Sequence, residues 1–176
     1  MRVVALLRGI NIGPSKRIAM PALRSIVESL GHTDVQTYLQ SGNVVFTAKG
    51  NASRDLATPL EAAIAKATKH EVPVVTRTAS ELRKVVAANP YPVDDPTRVV
   101  VAFLADAVDL GGLALGDLSA YLPDELTIHG RELYVSLPNG QARSKLMETL
   151  TRRPMPTTVT VRNWRTVTAL EEMARR

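Results

Sequence analysis

The pattern of apolar and polar positions predicts alternating strands and helices from the start of the chain. Residues 3–7 are all apolar, which is typical of a strand buried on both faces. Apolar residues then recur at helical spacing over 20–30, with Pro21 in the first turn and Gly31 where a helix would end. The chain therefore begins with a buried strand followed by an amphipathic helix.

The next elements complete a β-α-β-β-α-β unit. The pattern predicts a half-exposed alternating strand, a Ser-Gly-Asn turn, an apolar strand, a helix and a proline-containing edge strand. These elements are expected at residues 35–40, 41–43, 44–47, 56–67 and 72–75. The segment 58–61 could be either the capping box of the helix or a proline break within it. The order is that of the ferredoxin-like fold, with the first and third strands central in the sheet.

The same order returns after a proline-rich segment. A capping box at 78–81 opens a helix that should stop before Asn89. A strand, a weaker glycine-interrupted helix, two hairpin strands, a helix, a strand and a closing helix follow. They are expected at 99–104, up to Tyr121, at 125–129, 132–137, 143–151 and 157–161, and from about Thr166. The predicted fold is α+β, with a ferredoxin-like unit over 1–88, a linker over 89–97 and a second, degenerate α+β unit of similar topology with a C-terminal helix over 98–176.

Composition excludes several classes of protein. The 176 residues include no cysteine, which rules out disulfides, thiolate nucleophiles and cysteine-ligated zinc. The longest apolar run, 99–105, is far too short for a membrane span, and five apolar residues at 3–7 do not make a signal peptide. We therefore expect a cytoplasmic protein with no membrane partner.

The positive charge is concentrated near the C-terminus. Residues 1–140 hold 14 Lys and Arg against 14 Asp and Glu, whereas residues 141–176 hold 8 against 3, so this tail carries the whole net charge of +5. Such a tail would attract phosphates or nucleic acid, although it could equally be a solvated face that aids solubility.

Two polar, glycine-containing turns of the first unit are expected to meet. In β-α-β-β-α-β topology the loop 8–17 and the turn 40–43 leave the same end of the sheet. They offer cations, amide and hydroxyl donors, and glycines that let backbone N–H groups approach an anion. The ligand-binding residues predicted here are Arg8, Asn11, Lys16, Gln40, Ser41 and Asn43. The alternative is that these glycines only form turns.

The second unit is expected to bring two further loops together at one end of its sheet. Loop 138–145 and loop 162–166 each follow a strand and open a helix, so two positive helix ends would converge there. Basic side chains and an indole ring would suit a phosphate and a stacked base. The ligand-binding residues predicted here are Ser144, Lys145, Arg162, Asn163 and Trp164. Alternatively, Ser144 and Asn163 are only N-caps and Trp164 is only a core anchor.

Other chemistries lack the residues that they need. The histidines His32, His70 and His129 show no metal-ligand spacing, so no metal site is predicted, and His32 and His129 are expected to be exposed in turns. Neither cluster contains a carboxylate to act as general base. A hydrolase would have to bring one in from the group Asp94, Asp95, Asp106 and Asp109. Enzymatic activity, catalytic residues and cofactors therefore stay open.

Four motifs resemble those of a bacterial family known as domain of unknown function family 1697. They lie in register over nearly the whole chain, at 8–13, 38–44, 144–146 and 162–167. The resemblance implies two α+β units, the first of them ferredoxin-like, and supplies no established activity. Gly13-Pro14-Ser15 departs from the Gly-Gly-Lys or Gly-Gly-Asn that relatives tend to carry, and the proline removes one backbone donor from the loop.

Three functional hypotheses follow from these patterns. The first is binding of a small phosphorylated or nucleotide-like anion by one or both clusters. The second is a nucleic-acid-binding module that uses the basic tail, although the aromatic run of an RNA-recognition motif is missing from the third strand. The third is a dimeric interaction scaffold in which the polar turns are structural. The identity of the ligand and the oligomeric state are left open by the sequence.

Overall fold

The structure, a computed structural model, describes residues 1–50 and 55–176. The protein is a mixed α+β chain with two four-stranded antiparallel sheets and five helices longer than one turn among the described residues. It divides into two compact units: Met1–Arg83 together with Leu170–Arg176, and Lys84–Ala169. Among the described residues, no helix combines the length and the apolar character that crossing a membrane would require.

The first sheet and its helices follow the predicted order. The elements are β1 (Arg2–Leu7), α1 (Met20–Ser29), β2 (Thr33–Tyr38), β3 (Asn43–Thr47), α2 (Ala57–Thr68), β4 (Val74–Thr78) and α3 (Ala79–Ala87). The strands lie in the order β2-β3-β1-β4, and every neighbouring pair is antiparallel. Central positions for β1 and β3 are therefore confirmed, as are edge positions for β2 and β4.

Strand alternation separates the two faces of this sheet. Val3, Ala5 and Leu7 belong to a buried apolar cluster that also holds Leu23 of α1 and Ile64 of α2. Val4 and Leu6 point to the opposite face, because side chains alternate along a strand, and they are buried too. Burial on both faces explains why this strand reads as an uninterrupted apolar run.

The second unit repeats the strand order of the first. Its elements are β5 (Val99–Leu104), β6 (Glu125–His129), β7 (Glu132–Ser136), α4 (Lys145–Arg152) and β8 (Val159–Asn163), and α5 (Trp164–Arg175) closes the chain. The order β6-β7-β5-β8 corresponds strand for strand to that of the first sheet, and all pairs are again antiparallel. Two similar units with shared topology are thus present.

Helix starts depend on capping groups that the sequence identified only in part. The capping box of α3 is confirmed, since Glu81 N donates to Thr78 Oγ1 (3.1 Å) and Thr78 N donates to Glu81 Oε2 (2.7 Å). Both interpretations of 58–61 are wrong, because α2 begins at Ala57 and a carboxylate just before it, Asp55, accepts from the first backbone N–H groups of the helix. The proline at 59 lies in the first turn, where it is tolerated.

The predicted helix ending near Tyr121 is wrong. Over 105–124, all of which the structure describes, turns lead into one short 3-10 segment, Leu118–Tyr121. Asp109 Oδ1 accepts from Gly112 N at 2.6 Å, and this local turn competes with a helix that glycines already weaken. Smaller shifts occur at β4 and at β8, which begin at Val74 and Val159 rather than two residues earlier.

Candidate functional site

The loop after β1 and the turn between β2 and β3 meet, as the topology predicts. Leu7 N donates to Gly42 O at 2.8 Å, and Asn11 Nδ2 donates to Gln40 O at 2.7 Å. Backbone and side-chain hydrogen bonds therefore join the two segments.

Asn11 holds this loop in place. Its Nδ2 also donates to Ile18 O at 3.0 Å, while its Oδ1 accepts from Ile18 N at 2.9 Å. The backbone of Asn11 is left-handed, with a φ of 55°, and its N–H donates to Lys16 O at 3.1 Å. Both amide donors are thus engaged within the protein, which favours a structural role over direct ligand contact.

The turn at 41–43 is shaped by close packing. A Cβ on Gly42 would lie 2.7 Å from Ile10 Cδ1 and 2.8 Å from Leu7 Cβ, and its φ of +83° is also one that side chains disfavour. Asn43 is fully buried, and its Nδ2 donates to Tyr38 O (2.7 Å) and Ser41 Oγ (3.0 Å). The turn therefore requires glycine and asparagine for its own architecture.

Lys16 and Arg17 of this loop donate side-chain hydrogen bonds to backbone carbonyls, and the backbone of Arg8 is also hydrogen-bonded. Lys16 Nζ donates to Glu71 O at 2.9 Å, Arg17 Nε donates to Gly13 O at 3.4 Å, and half-buried Arg8 donates its backbone N–H to Pro73 O at 2.9 Å. A groove of about 390 Å³ opens beside them. It is lined by Asn11, Gly13, Arg17, Ile18, Ala19 and Gln40.

In the second unit, Ser144 and Asn163 cap the helices that they precede, and Trp164 is the first residue of α5. Ser144 caps α4 by accepting from Met147 N at 2.9 Å, and Asn163 caps α5 by accepting from Thr166 N at 3.0 Å. Trp164 is 9% exposed, so its ring offers little surface for stacking a base. These contacts favour the structural alternatives stated above for all three.

Arg162 is buried, and the first unit has a counterpart that sequence reasoning missed. Arg162 pairs in register with Val101 of β5, as Arg77 pairs with Val4 of β1. In both, the guanidinium donates to the carbonyl of the preceding residue at 2.8 Å. Burial lowers the pKa of Arg162 to about 10, which leaves it charged at neutral pH. Two equivalent, enclosed positions indicate a shared structural feature.

Lys145 lies in a different environment. An open groove of about 630 Å³ runs along α4, lined by Gln141, Ala142, Arg143, Ser144, Lys145, Met147, Glu148, Thr151 and Arg152. Arg143 and Lys145 are exposed, and neither side chain makes a hydrogen bond or ion pair with the described residues. The carboxylate in the groove, Glu148, already pairs with Arg152 at 2.9 Å.

One of the four carboxylates considered for a hydrolase, Asp95, lies four residues before the start of β5. Asp95 Oδ1 accepts from Thr97 N and Thr97 Oγ1 at 2.8 and 2.6 Å, and its Oδ2 lies 3.4 Å from Arg98 Nε. These hydrogen bonds, with smaller contributions from Arg98 and Arg165, lower the pKa of Asp95. A carboxylate held in its ionised form is a weak proton acceptor, so it adds little to the case for a general base.

The histidines form no metal site within the described residues, where no group of three or more potential ligands occurs. The expectation that His32 is exposed is wrong, since it is 8% exposed and stacks near Phe46 with 4.6 Å between ring centroids. Its Nδ1 accepts from Lys49 N at 3.1 Å, and burial followed by the charge of Lys49 lowers its pKa. His129 is exposed, as predicted.

Comparisons with known proteins agree with the fold and with the family resemblance, and the family match includes the motifs at 8–13 and 38–44. A solved structure, that of conserved bacterial protein SP0830 from Streptococcus pneumoniae, is similar over 98% of both chains, with a TM-score of 0.79 and 20% identity. At that identity the likeness shows a shared fold. No curated protein matches the chain. The family described as "Protein of unknown function (DUF1697)" matches residues 1–134, and the protein therefore belongs to the DUF1697 family.

Proposed function

We propose that this protein binds a small phosphate-bearing ligand, and that the groove along α4 is the site. The observation that carries the proposal is the pair of exposed cations, Arg143 and Lys145, at the start of α4, without partners among the described residues. The N-terminus of a helix already carries partial positive charge, so cations placed there oppose helix stability by a few tenths of a kcal/mol or more each. An anion in the groove would satisfy both cations and the helix end.

The groove has the charge that such a ligand needs. Its lining holds three cations, Arg143, Lys145 and Arg152, against one carboxylate, Glu148, which Arg152 pairs. Gln141 is exposed at the rim and can donate hydrogen bonds to phosphate oxygens. A volume of about 630 Å³ lies within the range of small-molecule sites.

The loop cluster of the first unit is the weaker candidate. The side-chain amides of Asn11 and Asn43 donate to backbone carbonyls within the protein, and so does Lys16 Nζ. Accessible polar groups there are the exposed side chains of Gln40 and Ser41 and the groove beside them. We keep these residues as a second proposed contact region for an anion.

The nucleic-acid alternative has less support. Every carboxylate of residues 141–176 pairs with an arginine four positions later, which leaves five cations in the tail outside these pairs. One of the five, Arg162, is buried, and Trp164 is largely enclosed. The dimeric scaffold remains a hypothesis that a measurement of molar mass in solution would address.

We also infer that the first unit is ferredoxin-like and the second a degenerate copy of it. The strand orders β2-β3-β1-β4 and β6-β7-β5-β8 support this inference. The copy would have lost its first helix, because only a short 3-10 segment lies between β5 and β6 in the described chain.

The test is a thermal-shift titration with pyrophosphate, ATP, coenzyme A and a short oligonucleotide. A ligand at 100 times its dissociation constant should stabilise the folded protein by about 2.7 kcal/mol. The variants are Arg143→Ala and Lys145→Ala, with Lys84→Ala as the matched control because Lys84 is an exposed helical lysine outside the groove.

We expect a small phosphate compound to raise the melting temperature of the parent and of the control variant. The two groove variants should not show this rise. Lys145→Ala should fold at least as stably as the parent, because it removes a cation from a helix N-terminus. Equal shifts in parent and groove variants would reject the site. Stabilisation by the oligonucleotide alone, with a steep dependence on salt, would favour the nucleic-acid alternative.

A further inference from the structure

A pocket of about 330 Å³ in the unit Lys84–Ala169 has the opposite electrostatic character to the groove along α4. Its lining includes the two tyrosines Tyr91 and Tyr121, four leucines, and the acidic residues Asp124 and Glu125. The lining holds no lysine, arginine or histidine. In a chain of net charge +5, this pocket is therefore a local concentration of negative charge on an apolar surface.

Asp124 provides the pocket with an unpaired carboxylate. The residue is 8% exposed, and its backbone N–H donates to Tyr121 O at 2.9 Å. Its carboxylate makes no hydrogen bond or ion pair with the residues that the structure describes. The residue is largely buried, but its carboxylate oxygens are not among the buried atoms that lack a partner, so they reach solvent at the pocket. A positively charged group entering the pocket would meet this unpaired carboxylate and form a charge-assisted hydrogen bond.

The surrounding groups favour the same kind of occupant. The Tyr91 hydroxyl lies 2.9 Å from Thr127 Oγ1, and its pKa is raised by burial and, to a smaller extent, by the negative charge of Glu125. The negative field of Glu125 thus reaches into the pocket. Tyrosine rings attract cations through their π faces. The negative charge of Glu125 and the tyrosine rings would therefore both favour binding of an ammonium group.

The rim supplies apolar contact area. Leu118 and Leu122 line the pocket and are 38% and 68% exposed. When an apolar group covers exposed leucines beside a cavity, apolar surface is removed from water and binding is favoured. The ligand should therefore carry an apolar body as well as a positive charge.

We propose that this pocket binds a small primary amine with an apolar body. The ammonium pairs with the Asp124 carboxylate, and the apolar body contacts Leu122 and the tyrosine rings. This site is separate in residues and in charge from the proposed phosphate groove, so either can hold without the other.

The experiment uses 2-phenylethylammonium as the probe. Its neutral and anionic analogues, 2-phenylethanol and phenylacetate, serve as comparison ligands. Binding is followed by chemical-shift changes in the full chain labelled with nitrogen-15, with the dissociation constant obtained by titration. The variants are Asp124→Asn, which removes the charge at nearly constant shape, Leu122→Ala at the exposed rim, and Asp94→Asn as an exposed carboxylate outside the pocket.

The ammonium should bind about tenfold or more tightly than the alcohol, as expected for a hydrogen bond to a charged group, and phenylacetate should bind weakest. Asp124→Asn should remove the preference for the ammonium, Leu122→Ala should weaken all three ligands, and Asp94→Asn should behave as the parent. Equal affinity of the parent for the ammonium and the alcohol would overturn the proposal, as would shifts confined to residues outside the pocket. The comparison of ligands on the parent stands even if a variant fails to fold.

Discussion

Replacing Asn11 should destabilise the first unit, because one side chain there makes three hydrogen bonds. Its amide donates to Ile18 O and Gln40 O and accepts from Ile18 N, at 3.0, 2.7 and 2.9 Å. These contacts close the loop onto itself and attach it to the β2–β3 turn. Asn11→Ala removes all three and places alanine at a φ of 55°.

The size of the effect can be worked out from these contacts. A hydrogen bond contributes roughly 0.5–1.5 kcal/mol net. Because Asn11 is only half-buried, we take the three hydrogen bonds together as about 2 kcal/mol. Alanine in the left-handed region adds about 1 kcal/mol relative to asparagine or glycine. We therefore expect a loss of about 3 kcal/mol for Asn11→Ala and about 2 kcal/mol for Asn11→Gly, which tolerates the backbone conformation.

The assay is urea unfolding followed by circular dichroism at 222 nm, since the single tryptophan lies outside this loop. Asn11→Asp is the most informative control. It keeps an acceptor for Ile18 N but replaces the amide donor with a carboxylate oxygen, which would face the carbonyl oxygens of Ile18 and Gln40. It should be at least as damaging as Asn11→Ala at neutral pH. Ordinary surface substitutions change the free energy of unfolding by up to about 0.5 kcal/mol. If the Asn11 variants stay within about 0.5 kcal/mol of the parent, the three hydrogen bonds of Asn11 do not stabilise the loop as argued.

Two further predictions concern packing and pH. Gly42→Ala should lower the free energy of unfolding by about 2 kcal/mol or more, because the new Cβ would meet Ile10 Cδ1 at 2.7 Å in a left-handed conformation; an unchanged urea midpoint would contradict this. His32 has a folded pKa below its ordinary value of 6.5, so the unfolded chain binds more protons. The contribution of neutral His32 to the free energy of unfolding is fully present above about pH 6.5. This contribution is lost as the pH falls from that value toward the lower pKa of the folded protein. His32→Asn should therefore flatten the dependence of stability on pH just below about pH 6.5, and an identical slope in parent and variant would contradict the reasoning.

Local signals were sufficient for most elements of the fold. The capping box before α3 identified its start, because the atoms that satisfy one another lie within four residues. The helix expected before Tyr121 does not form. A local turn at Asp109 accepts a hydrogen bond from the Gly112 backbone N–H, which a helix would otherwise use. In the first unit, strand order followed from topology, which assigned the uninterrupted apolar strands to the centre of the sheet.

The candidate site is harder to predict from the sequence than the fold, because its residue types serve two purposes. Ser144 and Asn163 carry the donors and acceptors that bind phosphates, but the same groups cap helices, and the structure shows them accepting from backbone N–H groups. A sequence does not reveal which partner such a group has found. The pocket around Asp124 gave no sequence signal, because its lining comes from segments separated by up to 55 positions, from Tyr91 to Leu146.

By itself the sequence determined the strands, most of the helices and their order, since these depend on hydrophobic periodicity and on contacts between near neighbours. The family followed from short sequence motifs. Tertiary structure decided which polar groups remain accessible. Burial enclosed Arg162 and Trp164, whereas Lys145 stayed exposed beside an open groove. Accessibility depends on what distant parts of the chain cover, and that becomes known only when the chain is folded.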